Sequence, residues 1–483
     1  MRLHNTLTRE VEDFSPQNPQ DIKLYTCGPT VYDALHIGNW TAYIYWDILV
    51  RVLLFNGYSV DRVMNITDVG HLVSDEDEGE DKLQKGARRE NKTAWEIAEF
   101  YTQDCLNDMS KLALITPNHI AKATDFIPQQ LVLVRELKAK GYTYQIDDGI
   151  YFDTSKFKSY AAFAHLNLDS LRAGARVQNN PQKRNGSDFA LWKFTPIGTK
   201  RDMEWDTPKD LLENNEGKKG FPGWHLECSA IAMSLLGQTL DIHTGGIDHI
   251  SVHHTNEIAQ SEAATGKLFS RYWLHNNHLK VNGTKISKSL ENGFTLQDVE
   301  KKGYSALDFK MLVLQSHYRT EGNFTWENLD SAKARLQHWR EIACLRWQTH
   351  PQAELSPSQD IESYRTALTR ATQGIAEALN EDLNTPAALQ IVDEVFSIIS
   401  ENPLTKVCQD ALTTLLSTID SMLGLELINS TPDISNEDKK VIEAREVARS
   451  NKDWQASDTL RDQLLTEGIH INDTQDGSVW SRI

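Results

Sequence analysis

Two short segments carry residue types suited to a nucleoside triphosphate. His36-Ile37-Gly38-Asn39 sits where a loop enters a helical pattern. A helix N-terminus presents free N–H groups and partial positive charge, which suits phosphate. Gly38 lets the backbone approach a nucleotide, and the His36 imidazole can donate to a phosphate oxygen. The same four residues also fit an ordinary helix entry with Asn39 as N-cap. Lys285-Ile286-Ser287-Lys288-Ser289 follows a turn and a short strand. Two lysines three apart can stabilise charge as it moves along a triphosphate. Gly283 and the serines would let this loop close over ATP; a solvated basic loop fits equally. The sequence holds no G-x-x-x-x-G-K-[ST] phosphate loop, so ATP chemistry would rest on these two segments.

A second group suits a soft metal ion. His253 and Glu257 are four apart, so they share one face at a helix start, and both are acceptable zinc ligands. Cys27 ends a strand pattern and Cys228 lies in GWHLECSA. Neither forms a C-x-x-C pair. Each fits a small buried hydrophobe as well as a ligand, so spacing alone leaves a metal site open.

The elements that must position these residues read as α/β. Residues 22–27 form a strand pattern broken by Gly28-Pro29. A helix follows over 39–55 and a second strand over 60–67. That order opens a parallel-sheet unit. Residues 74–81 are acidic and read as an exposed loop. Helical patterns cover 93–114 and 126–140, and 142–152 reads as a hairpin turning at Asp147-Asp148-Gly149. Residues 155–220 are polar and read as a loop-rich insertion. A strand over 239–243, a turn at Gly245-Gly246 and a helix over 254–265 make a second α/β stretch. A short strand pair spans 279–286. From Leu307 to about Gly468 the pattern is almost wholly helical.

Composition sets outer bounds. The chain has 483 residues, 40% of them hydrophobic and 24% charged, which excludes a disordered polymer and suggests two to four domains. Five scattered cysteines do not form a disulfide framework and fit a cytoplasmic, reduced protein. The opening MRLHNTLTREVEDF has no secretory apolar stretch. The most apolar region, 43–55, is broken by Asp47 and Arg51 and is too short to span a bilayer, so no membrane partner is expected. The net charge of −18 is mildly unfavourable for nucleic acid. Only the contacting surface need be positive, and a negative remainder limits unspecific sticking.

Taken together, the two nucleotide segments resemble the paired signatures of class I aminoacyl-tRNA synthetases, in order and placement. YTCGPTVYDALHIGN, FPGWHLECSAIAMSLLG, DIHTGGIDHISVHHTNEIAQSEAATG and KISKS are similar to successive signatures of the cysteinyl-tRNA synthetase family. The likeness runs from NTLTREVEDF to the last dozen residues. Asn39 stands where a second His is common in the class, and Ile286 where Met is common.

This resemblance implies an α/β fold. A Rossmann-like catalytic domain in two halves (1–114 and 216–275) would flank a connective insertion (115–215). The KISKS loop and stem-contact region (276–345), a helical domain (346–430) and a small anticodon-binding end (431–483) would follow. It implies ATP-dependent activation of L-cysteine and its transfer to tRNA(Cys), by a monomer using ATP with Mg²⁺. Catalysis falls to His36, Asn39, Lys285 and Lys288, and ATP binding to His36, Gly38, Asn39 and Lys288. One Zn²⁺ per chain falls to Cys27, Cys228, His253 and Glu257. The cysteine pocket falls to Gly28, Thr67, Trp224 and Asp248. Cysteine and serine differ by one atom, which a plain pocket separates poorly. Zinc prefers a thiolate to an alcohol, so the resemblance implies a selective metal.

Toward tRNA, Lys333, Arg335, Arg340 and Arg346 make a basic helix near Trp339 that suits phosphates or a solvated face. Trp454, Trp480 and Arg482 are candidates for contact with anticodon bases, with core packing the better fit for Trp454. Departures from the family pattern lie at Gly70-His71 with the acidic run after them, at Thr255, and at HNNH over 275–278. Three other readings share some of these residues: a ligase passing cysteine to an amino sugar, an inactive tRNA-binding relative, and a class I synthetase for another amino acid.

Overall fold

The computed structural model describes residues 1–69, 82–90, 92–165, 180–196, 198–199, 201–214, 217–287, 290–350, 358–475 and 477–482. Gly70-His71 and the acidic run at 74–81 lie outside these residues. Its centre is a five-stranded parallel sheet in the order Ser270–Asn276, Leu240–Gly246, Ile22–Thr26, Val60–Ile66, His119–Lys122. After a hairpin of Arg2–Asn5 and Glu10–Asp13, the chain enters this sheet at its middle strand and builds outward through Val60–Ile66 and His119–Lys122. It then returns to the other side of the middle strand with Leu240–Gly246 and Ser270–Asn276. The order therefore reverses between Ile22–Thr26 and Leu240–Gly246. The crevice beyond the carboxyl ends of such a strand pair is where open α/β sheets bind ligands. Cys27, Gly28 and the segment after Gly246 all lie at that edge.

Helix Ile37–Phe55 connects the first two strands. Thirteen of its 19 residues are buried, on all sides, because it is covered by helices Ala306–Leu314 and Gln409–Leu423 as well as the sheet. Asp47 is fully buried within it. Its carboxylate accepts from Arg51 Nε at 2.6 Å, Lys310 Nζ at 3.1 Å and the Ile115 N–H at 2.7 Å. Those three bonds offset the cost of removing the charge from water.

The insertion carries its own antiparallel sheet, in the order Thr143–Ile146, Gly149–Phe152, Phe189–Phe194, Lys219–Pro222, Trp205–Asp206. The expected hairpin at 142–152 is present. Within the expected loop-rich region, Phe189–Phe194 is a strand with all six residues buried. A six-residue segment with five apolar residues and Lys193, set among polar neighbours, gives little periodic signal. The parallel sheet also takes in His119–Lys122, past the expected start of the insertion at 115. The insertion's sheet takes in Lys219–Pro222, past its expected end at 215.

Three further differences concern the second half. Trp224–Leu236 is a helix and Ser270–Asn276 a strand, neither of them expected. Gly245-Gly246 ends strand Leu240–Gly246 instead of forming a turn. Beyond it, Leu279–Val281 pairs with both Thr284–Lys285 and Gly322–Phe324. Helices dominate as far as Thr466, and hairpin Ile469–Thr474/Gly477–Arg482 closes the described chain. No described helix is long and apolar enough to cross a membrane.

The basic helix Trp326–Cys344 and its extension do not present a free cationic face. Arg346 is buried and donates to Ala343 O, Ile428 O, Thr431 O and Thr431 Oγ1. Arg335 pairs with Asp393, which also accepts from the Trp339 indole at 2.8 Å. Lys333 donates to Gly303 O at 2.9 Å. At least three of the four groups make internal bonds, although the Lys333 side chain is exposed.

Candidate active site and metal centre

Helix Ile37–Phe55 is capped by His36, not by Asn39. The His36 ring accepts from the Asn39 N–H at 3.3 Å, and Asn39 Oδ1 accepts from the His36 N–H at 3.2 Å. Asn39 is thus the third helical residue, and the pair forms a reciprocal capping box. This leaves the helix entry open at Gly38.

The second nucleotide segment meets the first there. His36 bridges to Thr295, and the Ile37 N–H donates to Phe294 O at 2.8 Å. A Cβ on Gly38 would lie 3.0 Å from Ile286 Cδ1. Asn292 fixes the start of the loop: its Oδ1 accepts from the Ser287 N–H at 2.9 Å and its Nδ2 donates to Lys285 O at 3.2 Å. Lys285 is exposed. Lys288 lies outside the described residues.

Four expected ligands converge. One donor atom from each of Cys27, Cys228, His253 and Glu257 lies within 4.8 Å of the others, and all four residues are buried. Cys27 follows the middle strand. Cys228 lies on helix Trp224–Leu236, and His253 and Glu257 on helix His253–Thr265. His253 Nε2 stands 2.9 Å from Glu257 Oε1, and the other His253 nitrogen meets His225 Nδ1 at 2.9 Å. Two thiols, an imidazole and a carboxylate, enclosed and held from behind, form a donor set that fits zinc. A tetrahedral set of this kind needs donor separations of roughly 3.3–3.8 Å, so an ion held there would draw the His253 and Glu257 donors apart from their present 2.9 Å.

The electrostatics point the same way. Burial pushes the Cys27 thiol well up, and the neighbouring Cys228 adds to the shift. Burial disfavours charge on His253, but Glu257 and Cys228 outweigh it and raise His253 to about 10. Burial likewise opposes the Glu257 carboxylate, yet His243 and His253 hold it well below the usual range. The centre therefore favours positive charge among acceptors.

A second group overlaps the first: Cys27, His243, His254 and Glu257 also bring donor atoms within 4.8 Å. His243 Nε2 is 2.9 Å from Glu257 Oε2. His254 Nε2 is 3.3 Å from Cys27 Sγ, and its Nδ1 meets His275 Nε2 at 2.7 Å. His275 Nδ1 reaches Thr6 Oγ1 at 2.7 Å. This histidine shell was not anticipated. A signal existed in that seven of the sixteen histidines fall between 225 and 278, but their convergence depends on strand order.

The four residues expected in a cysteine pocket, Gly28, Thr67, Trp224 and Asp248, differ in exposure. Thr67 is buried and donates to Glu227 Oε1 at 2.5 Å. A Cβ on Gly28 would collide with the Asn65 carbonyl, which explains glycine there. Trp224 is half-buried, with its ring 4.6 Å from that of His253. Asp248 is exposed, in the turn Ile247–His249 at the mouth of the site.

The chain matches two family models. Residues 13–334 match the class I (C) tRNA synthetase catalytic domain, and 431–480 the cysteinyl-tRNA ligase anticodon binding domain. A cysteine–tRNA ligase of Treponema denticola is 40% identical over 509 residues, covering the whole of both chains. The chain belongs to the cysteine–tRNA ligase family. Cysteine–tRNA ligase 1 of Burkholderia lata is 41% identical, covering 99% of this chain and 96% of its own. The ligase's fold resembles methionyl-tRNA synthetase of Mycobacterium tuberculosis, with a TM-score of 0.59 at 12% identity over 85% of this chain and 93% of that one. It also resembles leucyl-tRNA synthetase of Agrobacterium radiobacter, with a TM-score of 0.57 at 13% identity over 86% and 85%. The ligase therefore has the class I synthetase fold, and the sequence expectation of family and fold stands.

Proposed function

We propose that this ligase activates L-cysteine with ATP and loads it onto the 3′-terminal adenosine of tRNA(Cys), selecting cysteine over serine at a zinc ion. The supporting observation is the buried set Cys27, Cys228, His253 and Glu257 at the point where strand order reverses, beside the helix entry at Gly38. Of the two overlapping donor groups, the one with two thiols is the better match to zinc's preference for sulfur. Zinc held there would supply a soft partner for the substrate thiolate, a bond that a serine hydroxyl makes far less well.

The chain's own residues do the rest. Gly28 and Thr67 bound the amino-acid pocket, Trp224 packs beside the side chain, and Asp248 at the mouth receives the ammonium group. A cysteine carboxylate oxygen attacks the α-phosphorus of ATP, and pyrophosphate leaves. The terminal 2′-hydroxyl of tRNA then attacks the carbonyl carbon, and AMP leaves. His36, the Gly38 N–H at the helix entry, and Lys285 and Lys288 with Mg²⁺ stabilise the charge that moves onto pyrophosphate. A cytoplasmic monomer fits this reading. The match of 431–480 to an anticodon-binding domain supports tRNA, not an amino sugar, as acceptor.

The test is metal content combined with cysteine-dependent ATP–pyrophosphate exchange. One zinc per chain and exchange with cysteine but not serine are expected. Exchange that is equal for both amino acids, or a zinc-free active enzyme, overturns the zinc assignment.

A further inference from the structure

A hydrogen-bonded strap runs from the backbone beside Cys27 to the side-chain carboxylate of the residue before Cys228, without using a metal ligand. Gly28, next to Cys27, donates its N–H to Asn65 Oδ1 at 2.8 Å. The other end of the same amide, Asn65 Nδ2, donates to Thr67 Oγ1 at 3.1 Å. Thr67 in turn donates to Glu227 Oε1 at 2.5 Å, and Glu227 precedes Cys228. Asn65 and Thr67 are each 1% exposed and Glu227 is fully buried.

Asn65 is out of place on secondary-structure grounds. It sits in strand Val60–Ile66, whose last five residues are all buried, and such strands are normally apolar and poor in Asn. The strap supplies the reason. An amide accepts at one end and donates at the other over a fixed span. Asp cannot donate to Thr67, and an aliphatic residue serves neither neighbour. The Thr67 oxygen gives its proton to Glu227 and takes one bond from Asn65. One lone pair remains, and only a donor such as an ammonium group can use it.

We propose that Asn65 is a positioning residue: it sets the spacing of the Cys27 and Cys228 backbones around one ion and orients the Thr67 hydroxyl toward the amino-acid substrate. This rests on the assignment of Cys27 and Cys228 as zinc ligands. Outer-shell partners of metal ligands typically contribute about 10–100-fold to affinity or activity.

The test uses the full-length enzyme with Asn65→Ala and Asn65→Asp, their folding checked by circular dichroism. Zinc affinity is read by competition with a chromogenic chelator, and KM is measured separately for cysteine and ATP. Asn65→Ala should lose about 10–100-fold in zinc affinity and raise KM for cysteine, with KM for ATP unchanged. Asn65→Asp keeps the bond from Gly28, so it should lose less zinc affinity yet still raise KM for cysteine. A folded Asn65→Ala with wild-type zinc affinity and wild-type KM for cysteine overturns the proposal, as does an equal rise in both KM values. If Asn65→Ala does not fold, an unchanged KM for cysteine in Asn65→Asp overturns it. Wild-type enzyme that binds zinc no better than Cys228→Ala overturns the ligand assignment itself.

Discussion

Ile286 lies against Gly38: a side-chain carbon on Gly38 would stand 3.0 Å from Ile286 Cδ1 and as close to the His36 ring. The two nucleotide segments, some 250 residues apart in sequence, are thus in van der Waals contact. The bond from the Ile37 N–H to Phe294 O at 2.8 Å holds them there. A catalytic loop seated on a helix entry couples its own position to the phosphate-binding N–H groups.

That contact makes Gly38 sensitive to size. Gly38→Val should lower kcat/KM for ATP about 100-fold or more, the scale expected of a misplaced reacting group, while leaving KM for cysteine nearly unchanged. Ile286→Met keeps the volume and should cost under about 1.5 kcal/mol in stability. Steady-state exchange kinetics and thermal unfolding check both.

Zinc binding should depend on each of the four converging residues. Cys27→Ala, Cys228→Ala and His253→Ala should each lower zinc content well below one per chain, measured by elemental mass spectrometry after dialysis against a weak chelator. Removal of zinc should abolish cysteine-dependent exchange, and re-addition should restore it.

The buried triad Asp47, Arg51 and Lys310 ties the first helix to Ala306–Leu314. Asp47→Ala would leave the fully buried Lys310 with carbonyl partners alone. Stranding a buried charge costs about 3–5 kcal/mol. Burial already lowers Lys310 to about 8 against the opposing pull of Asp47, so the variant's Lys310 should lose its proton more easily still. Denaturant unfolding should show the loss at pH 7 and a smaller one near pH 10.

In the C-terminal hairpin, hydrogen bonding from Arg445 holds Asp473 down to about 2 against its ordinary 3.8, with burial opposing and Ser478 assisting. A depressed acid contributes stability above its unfolded value, and that contribution is lost as pH falls through its folded value. The stability gap between wild type and Asp473→Asn should therefore be full above about pH 4 and shrink toward pH 2. A gap that stays constant over that window contradicts the assignment.

Of the two C-terminal tryptophans, the one expected in the core is the exposed one. Trp454 is 58% exposed and Trp480 only 5%. Trp454→Ala should raise KM for tRNA with little change in stability. Trp480→Ala should cost about 3–5 kcal/mol.

Much of the architecture was legible because it is written in local signals. Residues 22–26 and 60–66 are strands, 37–55 a long helix, and the hairpin turns at Asp147-Asp148-Gly149 as its residue types require. The cysteines were legible only through the motifs around them, since Cys27 and Cys228 lie 201 positions apart. What stayed hidden depends on tertiary context. Helix Trp224–Leu236 is buried on most sides, so it has no polar face to reveal its period. Asn39 is not the cap because the helix starts earlier, with the His36 ring accepting the N–H of Asn39 itself. Arg346 looked like a surface cation, and its role was decided by Thr431, 85 residues away. Asn65 carries no local signal of its role, which depends on Gly28 and Thr67 at the two ends of its amide.

The most direct test of the central claim is aminoacylation. The full-length enzyme is incubated with ATP, Mg²⁺, labelled cysteine and a tRNA pool, with a large excess of unlabelled serine, and acid-precipitable label is counted. Label on tRNA that survives serine and vanishes in Cys228→Ala is the predicted result. Label abolished by serine would contradict zinc-based selection, and a lack of label on tRNA under any condition would contradict the ligase assignment.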